Sequence, residues 1–375
     1  MDKKTVETLA SCADQYMAYE TDQVMTWCGG CGNYGIQNAL KRALVLEKIK
    51  PRDTLMCFDV GCNGNGSDKI DCYTIHGLHG RVLPLAAGAK IANPKLTVIA
   101  SAGDGATFSE GVSHLVHAIR SDYPVVFLHH DNQNYALTTG QASSTTPVGC
   151  HKTATPDGVV TENLNPLAMV LGLSPSFVAQ TFSADVDHMT KIFQEALHHK
   201  GFSFVQILQS CPTYNRETSD AWYSEHVFDV EKEKHDVEDI WAARKIVENP
   251  KKLPLGILYR NPQKKNFLDS VLHRDHLKTT LTEEVRHTDI SKFLEKISGT
   301  TTNSIIPKNT KDSPPMRFHS LLSFPGNFLQ SGTWEGWKIT RDQEKTYDCD
   351  LVCRFNFLSF KYSPLRSDFF FSHGS

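Results

Sequence analysis

The stretch from Leu96 to Gln141, LTVIASAGDGATFSEGVSHLVHAIRSDYPVVFLHHDNQNYALTTGQ, decides the fold class. It opens with an apolar run, 96–101, that is short enough for a buried parallel strand. A helix is predicted next, with Thr107 or Ser109 as its N-cap. Its apolar residues fall on one stripe: Val112, Leu115, Val116 and Ile119. A second apolar strand, 125–128, completes a predicted β-α-β unit.

Both predicted strands are followed by oxygen-bearing side chains. Asp104 lies between two glycines after the first strand, and Asn132 and Asn134 follow the second. Open parallel sheets bind ligands at the carboxyl ends of their strands. Glycines beside Asp104 let a diphosphate come close, the helix N-terminus favours the anion, and carboxylate and amide oxygens suit Mg²⁺. The alternative without function is a tight strand–helix turn and an ordinary Asn-rich loop.

Size and charge exclude several classes of protein. The chain has 375 residues, enough for one large α/β domain and an appendage, and its net charge of −3 leaves no nucleic-acid footprint. No run of 18 apolar residues exists, so no membrane span is predicted, and the N-terminus lacks the apolar core of a signal peptide. The ten cysteines do not form a disulfide framework. Reduced thiols in the cytoplasm, some of them metal ligands, are therefore expected.

Four of these cysteines fall in loops beside predicted strand ends. Cys28 and Cys31 form a Cys-x-x-Cys knuckle with glycines, Cys62 follows the strand 54–60, and Cys211 follows the strand 202–208. Taken alone, the knuckle is equally compatible with a redox pair or structural zinc. Four cysteines on one rim of a sheet are what a Cys₄ cluster requires.

Further strand and helix signals extend the same pattern. Helices are predicted at 36–46, 83–91, 167–171 and 185–198. The loop 75–84 carries His79 and Arg81, and the Ser/Thr/Pro/Gly-rich segment 142–166 is predicted to be a long functional loop. Strands alternating with helices predict an α/β fold with a doubly wound, mostly parallel sheet.

Five motifs in order carry a family resemblance: CGGCG, GCNGNGSDKI, HGLHGRVLP, GDG with DNQNYALTTGQ, and SCPTYN. GDG followed by Asn132, 28 residues after Asp104, resembles the thiamine diphosphate motif. Together the motifs resemble the β subunit of 2-oxoacid:ferredoxin oxidoreductases, and its 2-oxoglutarate-type branch in particular. The resemblance covers roughly residues 20–297.

The resemblance implies a fold of the thiamine diphosphate-binding, diphosphate-half type with specific ligands. Mg²⁺ is expected on Asp104, the Asn132 side chain and the Asn134 carbonyl, and one [4Fe–4S] cluster on Cys28, Cys31, Cys62 and Cys211. The residues expected to line thiamine diphosphate are Val60, Gly61, Cys62, Asn63, Gly105, Ala106, Ala136 and Leu137. His79 and Arg81 are expected to orient substrate or cofactor, with structural hydrogen bonds in a tight loop as the alternative.

The implied reaction converts a 2-oxoacid, coenzyme A and oxidised ferredoxin to acyl-CoA, CO₂ and reduced ferredoxin. A separate α subunit is expected to supply the pyrimidine-facing half of the site and the glutamate that activates the thiamine. Two departures bear on the substrate: Asn65 and Thr139 stand where many relatives have a cation. The expected domains are 1–225, binding both cofactors, 226–297, a family extension, and 298–375, a divergent or disordered tail.

Two alternatives of other classes remain at this stage. One is a thiamine diphosphate-dependent decarboxylase or synthase half without electron transfer. The other is a non-catalytic iron–sulfur or zinc module.

Overall fold

The computed structural model describes residues 13–249, 252–271 and 279–284, and within them eight strands form one sheet. In chain order the strands are β1 (Thr54–Phe58), β2 (Tyr73–His76), β3 (Thr97–Gly103), β4 (Val126–Asp131), β5 (Phe177–Phe182), β6 (Ser203–Leu208), β7 (Val227–Asp229) and β8 (Leu253–Arg260). Their spatial order is β2-β1-β3-β4-β6-β5-β8-β7. Strands β3 and β4 are therefore neighbours inside the sheet.

All neighbouring strands run parallel except β5 and β8, which pair antiparallel. In the centre, Ser101 of β3 pairs with Phe58 of β1, and Gly103 pairs with His130 of β4. The carboxyl ends of β1, β3, β4 and β6 consequently meet at one edge. The predicted α/β architecture with a mostly parallel sheet is confirmed.

Helices connect the strands and cover both faces. They are α1 (Ala13–Met17), α2 (Asn33–Leu46), α3 (Val82–Ala92), α4 (Val112–Ser121), α5 (Pro166–Gly172), α6 (Val186–His198), α7 (Asp220–His226), α8 (Ile240–Val247), α9 (Phe267–Ser270) and α10 (Leu281–Glu284). Short 3₁₀ turns lie at Pro51–Asp53 and Gly64–Gly66. None of the helices in the described ranges is long and apolar enough to cross a membrane.

Two apolar cores lie on the two faces of the sheet. Helices α3, α4, α5 and α8 pack on one face, and α2 and α6 pack on the other. Alternate residues of a strand enter opposite cores, as Leu55 and Met56 of β1 do. Strands β4, β5 and β6 are buried along their whole length, so polar side chains in them must find internal partners.

The turn after β3 differs from its prediction. The predicted N-cap at Thr107 or Ser109 is wrong, because Ala106–Glu110 forms a π-helical turn and α4 begins only after Gly111, without a side-chain cap. The Thr107 hydroxyl instead donates to the Gly103 carbonyl at 2.7 Å. π-Helical turns are frequent at functional sites, and this one borders the strand ends where the predicted ligands lie.

The predicted tail, 298–375, lies outside the described residues, as do Cys12, Cys349 and Cys353. Within the predicted extension 226–297, strands β7 and β8 continue the same sheet. The division into three domains stays a prediction.

Candidate functional site

A cleft of about 230 Å³ opens at the carboxyl ends of β1, β3 and β4. All eight residues predicted to line thiamine diphosphate border it: Val60, Gly61, Cys62, Asn63, Gly105, Ala106, Ala136 and Leu137. Asp104, Asn132, Asn134 and His79 border it as well. The structure therefore brings together, around one cleft, predicted residues from four separate loops.

Asp104 lies just after β3 and is only 1% exposed. Its Oδ2 accepts hydrogen bonds from the Ser143 hydroxyl and, at 2.9 Å, from the Thr145 hydroxyl. The same Thr145 oxygen lies 3.0 Å from Oδ1 of Asp131, a second buried carboxylate. Burial raises the pKa of both carboxyl groups, and the charge of Asp104 raises the pKa of Asp131 further. In the described part of the chain, neither has a Lys or Arg at ion-pair distance, so a bound cation would stabilise this region.

The two asparagines after β4 form a compact turn. The Asn134 amide nitrogen donates to Asn132 Oδ1 at 3.2 Å, and the Asn134 side chain donates to the Asn132 carbonyl at 2.7 Å. Asn134 Oδ1 is buried without a hydrogen-bond partner. An orphaned oxygen beside a buried carboxylate, at the carboxyl ends of adjacent strands, fits a Mg²⁺–diphosphate group. The orphan is the side-chain oxygen of Asn134, whereas the sequence predicted the backbone carbonyl, which accepts from Ala136 N at 3.1 Å.

Gly105 leaves room where a side chain would collide. A Cβ at this position would lie 2.2 Å from the Tyr135 ring. The Tyr135 hydroxyl donates to Glu110 Oε1 at 2.9 Å, which fixes the ring over the glycine. The glycine after Asp104 is thus required by close packing of the turn against the loop after β4.

His79 is held at the edge of the cleft by a buried carboxylate that the sequence analysis missed. Its Nδ1 lies 3.1 Å from Oδ1 of Asp59, and its Nε2 lies 3.5 Å from Glu110 Oε2. Asp59 also accepts from the Gly80 and Val82 backbone amides at 2.9 and 3.2 Å. Burial raises the pKa of Asp59. Arg81 is exposed and is not among the residues that border the cleft.

The loops of the four predicted cluster cysteines are tied to one another. The Gly32 amide, next to Cys31, donates to Ser210 O, next to Cys211, at 3.4 Å. The Trp27 indole, next to Cys28, donates to the Cys62 carbonyl at 2.7 Å. Three loops far apart in sequence therefore meet at one edge of the sheet.

The thiols themselves lie in one neighbourhood. Burial, followed by the charges of Cys31, Cys211 and Cys28, raises the pKa of the Cys62 thiol to about 12. In the described ranges, no group of three or more Cys, His, Asp or Glu side chains is already arranged to hold a metal ion. The thiols are thus close enough to influence one another's ionisation, but they do not converge on one point, and Cys28 is exposed.

A buried polar path joins the cysteine region to the cleft. His130 borders the cleft, and its Nε2 lies 3.0 Å from the Ser101 hydroxyl while its Nδ1 lies 3.1 Å from Asn33 Oδ1 at the start of α2. Burial lowers the pKa of His130 to about 4, so the imidazole is neutral near pH 7. The sequence offered one signal for this residue, a polar pair, His129–His130, inside an otherwise apolar strand.

The fold and the donor set at these strand ends define a thiamine diphosphate-binding α/β protein. Residues 59–207 match the family described as thiamine pyrophosphate enzyme, C-terminal TPP binding domain. Residues 211–275 match the family described as the C-terminal part of the pyruvate ferredoxin oxidoreductase beta subunit.

Curated relatives narrow the class. The chain is 32% identical over 266 residues to 2-oxoacid:ferredoxin oxidoreductase 2, subunit beta, of Aeropyrum pernix, which covers 68% of this chain and 86% of the relative. It is 34% identical over 203 residues to the 2-oxoglutarate oxidoreductase subunit KorB of Mycobacterium tuberculosis, covering 54% of each chain. The chain belongs to the β subunits of the 2-oxoacid:ferredoxin oxidoreductase family, which are subunits of oxidoreductases.

A solved structure shares the fold. The 2-oxoglutarate:ferredoxin oxidoreductase of Magnetococcus marinus, with 2-oxoglutarate, coenzyme A and succinyl-CoA bound, superposes with a TM-score of 0.68 at 30% identity. The match covers 75% of this chain and 95% of that one.

Proposed function

We propose that this chain is the β subunit of an enzyme that oxidatively decarboxylates a 2-oxoacid with coenzyme A and passes the electrons through a [4Fe–4S] cluster to ferredoxin. The observation that carries the proposal is the position of Cys62. It borders the cleft proposed for thiamine diphosphate, and it interacts electrostatically with the other three candidate cluster cysteines. An electron leaving the cofactor would have a short path to such a cluster.

The residues of the cleft have separate roles in this proposal. Asp104, Asn132 and Asn134 hold Mg²⁺, and the glycine-rich turn after β3 admits the diphosphate. Thiamine diphosphate, when bound, supplies the electron sink that allows the bond to the substrate carboxylate to break. His79, held by Asp59, orients the substrate or the cofactor at the edge of the cleft.

An α subunit is the proposed partner. Val60 and Leu137 border the cleft and yet are 36% and 47% exposed, which suits a surface that packs against a second protein chain. That partner would supply the glutamate that activates the thiamine. A cytoplasmic location is proposed with it, and the seven cysteines of the described ranges are all free thiols.

The two alternatives make different demands on the same residues. A thiamine-dependent decarboxylase or synthase without electron transfer would not need three hydrogen-bonded loops that carry four cysteines, and a complex purified without iron would favour it. A non-catalytic metal module would have no use for the Asp104 turn, and failure to bind thiamine diphosphate would favour it.

The proposal is tested by Asp104→Ala. We expect it to abolish Mg²⁺-dependent binding of thiamine diphosphate, measured by calorimetry, because the diphosphate then faces fewer cation contacts. Asp53→Ala, a remote exposed carboxylate, is the control and should bind normally. Circular dichroism of both variants checks the fold. Unchanged affinity in Asp104→Ala would disprove the assignment.

A further inference from the structure

A second cavity, of about 310 Å³, reaches the other buried carboxylate, Asp131. From the last residue of β4 onward, alternate residues border the two spaces: Asn132 and Asn134 border the cofactor cleft, whereas Asp131 and Gln133 border this cavity. Gln206 and Tyr223 border it too, and Lys252 and Glu248 lie on its lining. A cavity of about 310 Å³ is at the lower end of small-molecule sites and is large enough for a hydrated ion, and the proposed function leaves it unused.

Asp131 lacks a counter-charge. Its Oδ1 accepts a hydrogen bond from the Thr145 hydroxyl at 3.0 Å, and its Oδ2 accepts one from Gln206 Nε2 at 2.9 Å. In the described part of the chain no Lys, Arg or His lies at ion-pair distance from it, and the Lys252 ammonium instead lies 5.8 Å from the Phe228 ring centre. A buried carboxylate is stable only when its charge is compensated or removed.

Two further oxygens in the same cavity are orphaned. Gln206 is 4% exposed and Tyr223 is 1% exposed, yet Gln206 Oε1 and the Tyr223 hydroxyl have no well-formed hydrogen bond, although Thr218 lies near the tyrosine. Buried polar atoms without partners indicate a missing ligand or ordered water. The two orphaned atoms are oxygens, and Asp131 beside them has hydrogen bonds but no counter-charge, so a cation is the ligand that would satisfy all three groups.

We propose that this cavity binds a hydrated monovalent metal cation, K⁺ or Na⁺, through Asp131, Gln206 Oε1 and the Tyr223 hydroxyl. Hard oxygen donors suit such an ion, and a single carboxylate among neutral oxygens favours one positive charge over two. The cation is coupled to the cofactor cleft through Thr145. This hydroxyl lies between Asp131 and Asp104 and has one hydrogen to donate, so a cation that engages Asp131 frees that hydrogen for Asp104.

The site is tested on the full-length chain by thermal unfolding in tetramethylammonium chloride, into which KCl or NaCl is exchanged at constant ionic strength. We expect the Tm to rise and saturate with K⁺ or Na⁺. Tyr223→Phe removes only the orphaned hydroxyl. It should be at least as stable as the wild type without K⁺ and should lose at least half of the rise with K⁺.

Tyr19→Phe is the matched control. Tyr19 is equally buried, but its hydroxyl is bonded to Ile49 O at 2.9 Å and lies 3.1 Å from Thr54 Oγ1, so its loss should lower the Tm equally in both salts. The proposal is overturned if exchanging tetramethylammonium for K⁺ or Na⁺ leaves the Tm of the wild type unchanged, if only Ca²⁺ raises the Tm, or if Tyr223→Phe keeps the full rise. Crystals soaked in Tl⁺ should show the ion beside Asp131, and its absence there would also overturn the site.

The coupling, unlike the site, rests on the proposed function. Calorimetry of Mg²⁺–thiamine diphosphate should show affinity several-fold tighter in KCl than in tetramethylammonium chloride, and Thr145→Val should abolish that difference. If no thiamine diphosphate binds in either salt, the proposed function fails while the melting experiment still decides the cation site.

Discussion

At the scale of single residues, Gly105 shows how tightly the turn after β3 packs against the loop after β4. Gly105 has an ordinary helical backbone, with φ −60° and ψ −48°, so conformational freedom is not the reason for it. The reason is the Tyr135 ring, which occupies the space that any side chain would need. Close approach of two loops therefore selects this glycine.

We expect Gly105→Ala to destabilise the fold by about 1–3 kcal/mol, the usual cost of forcing an extra methyl into a packed site, and to weaken thiamine diphosphate binding at least tenfold. Gly88→Ala is the matched control, because that helical glycine is exposed and an added methyl there would meet open space. The control should gain about 0.5–1 kcal/mol. Urea unfolding and calorimetry measure both effects, and equal behaviour of the two variants would contradict the packing explanation.

His129 gives a prediction about pH. It is fully buried between the Phe108 and Phe204 rings, and burial, with the charge of His130 second, lowers its pKa to about 3. Below pH 6.5 the unfolded chain binds a proton here that the folded chain does not, so this residue's contribution to stability falls by about 1.4 kcal/mol per pH unit as pH falls toward 3.

Between pH 6.5 and 4.5 we therefore expect the free energy of unfolding of His129→Leu to fall less steeply than that of the wild type. The two slopes should differ by about 1.4 kcal/mol per pH unit. The comparison with the wild type is needed because buried carboxylates such as Asp122, whose pKa burial raises, act in the opposite direction. Urea unfolding at several pH values measures the difference. Parallel pH profiles would show that His129 is protonated in the fold.

At the scale of elements, the strands that carry the site were predictable and the irregular segments were not. Strands β1, β3, β4 and β6 are apolar runs that end in glycine, Asp, Asn or Cys, so the sequence located the edge of the sheet where the cleft lies. Strand β5 was missed because Gln180 and Thr181 interrupt its apolar run. Gln180 is tolerated there because its side chain donates to the Pro254 carbonyl at 2.7 Å, a contact across the chain that no local pattern reveals.

The supporting residues of the site were missed for a similar reason. Ser143 and Thr145 belong to a segment that was predicted to be a functional loop, but their contact with Asp104 depends on how that loop folds back. Asp59 was taken as part of a strand, whereas it follows β1 and holds His79. Such partners depend on tertiary distance, which spacing in the sequence does not contain.

The three cysteine loops give a prediction at this scale. Single Cys→Ala variants at positions 28, 31, 62 and 211, purified anaerobically with the partner, should lose the visible absorption of the cluster. The matched controls are Cys57→Ala and Cys72→Ala, because Cys57 is a buried strand residue and Cys72 lies beside β2, and both should keep it. Loss in a control, or stoichiometric zinc in the anaerobic wild type, would contradict the electron-transfer role.

At the scale of the whole molecule, the cleft carries little positive charge for a substrate. No Lys or Arg borders it within the described ranges. Thr139, where many relatives have a cation, is exposed and has a φ of 79°. If the complex prefers 2-oxoglutarate, the cation that contacts its distal carboxylate is expected to come from the partner. If the partner supplies none, we expect pyruvate and branched 2-oxoacids to be preferred.

We expect the chain alone to be inactive and the reconstituted complex to be active, followed by viologen reduction with pyruvate, 2-oxoisovalerate and 2-oxoglutarate. Replacing the α-subunit arginines near the site should remove any preference for 2-oxoglutarate, since no Lys or Arg in the described part of this chain borders the cleft to replace their charge. Turnover by the isolated chain would refute the split site. A 2-oxoglutarate preference that survives loss of those arginines would refute the charge explanation.

The sheet order also sets a sequence of events during synthesis. The floor of the cofactor cleft joins β3 and β4, which are consecutive in the chain, so it can form as soon as residues up to about 141 have left the ribosome. The cysteine set needs Cys211, on a loop that docks only after β6 has been added beside β4. We expect nascent chains to become able to fold around the diphosphate before they can accept a cluster, so iron–sulfur assembly would act on a scaffold whose central strands are already paired.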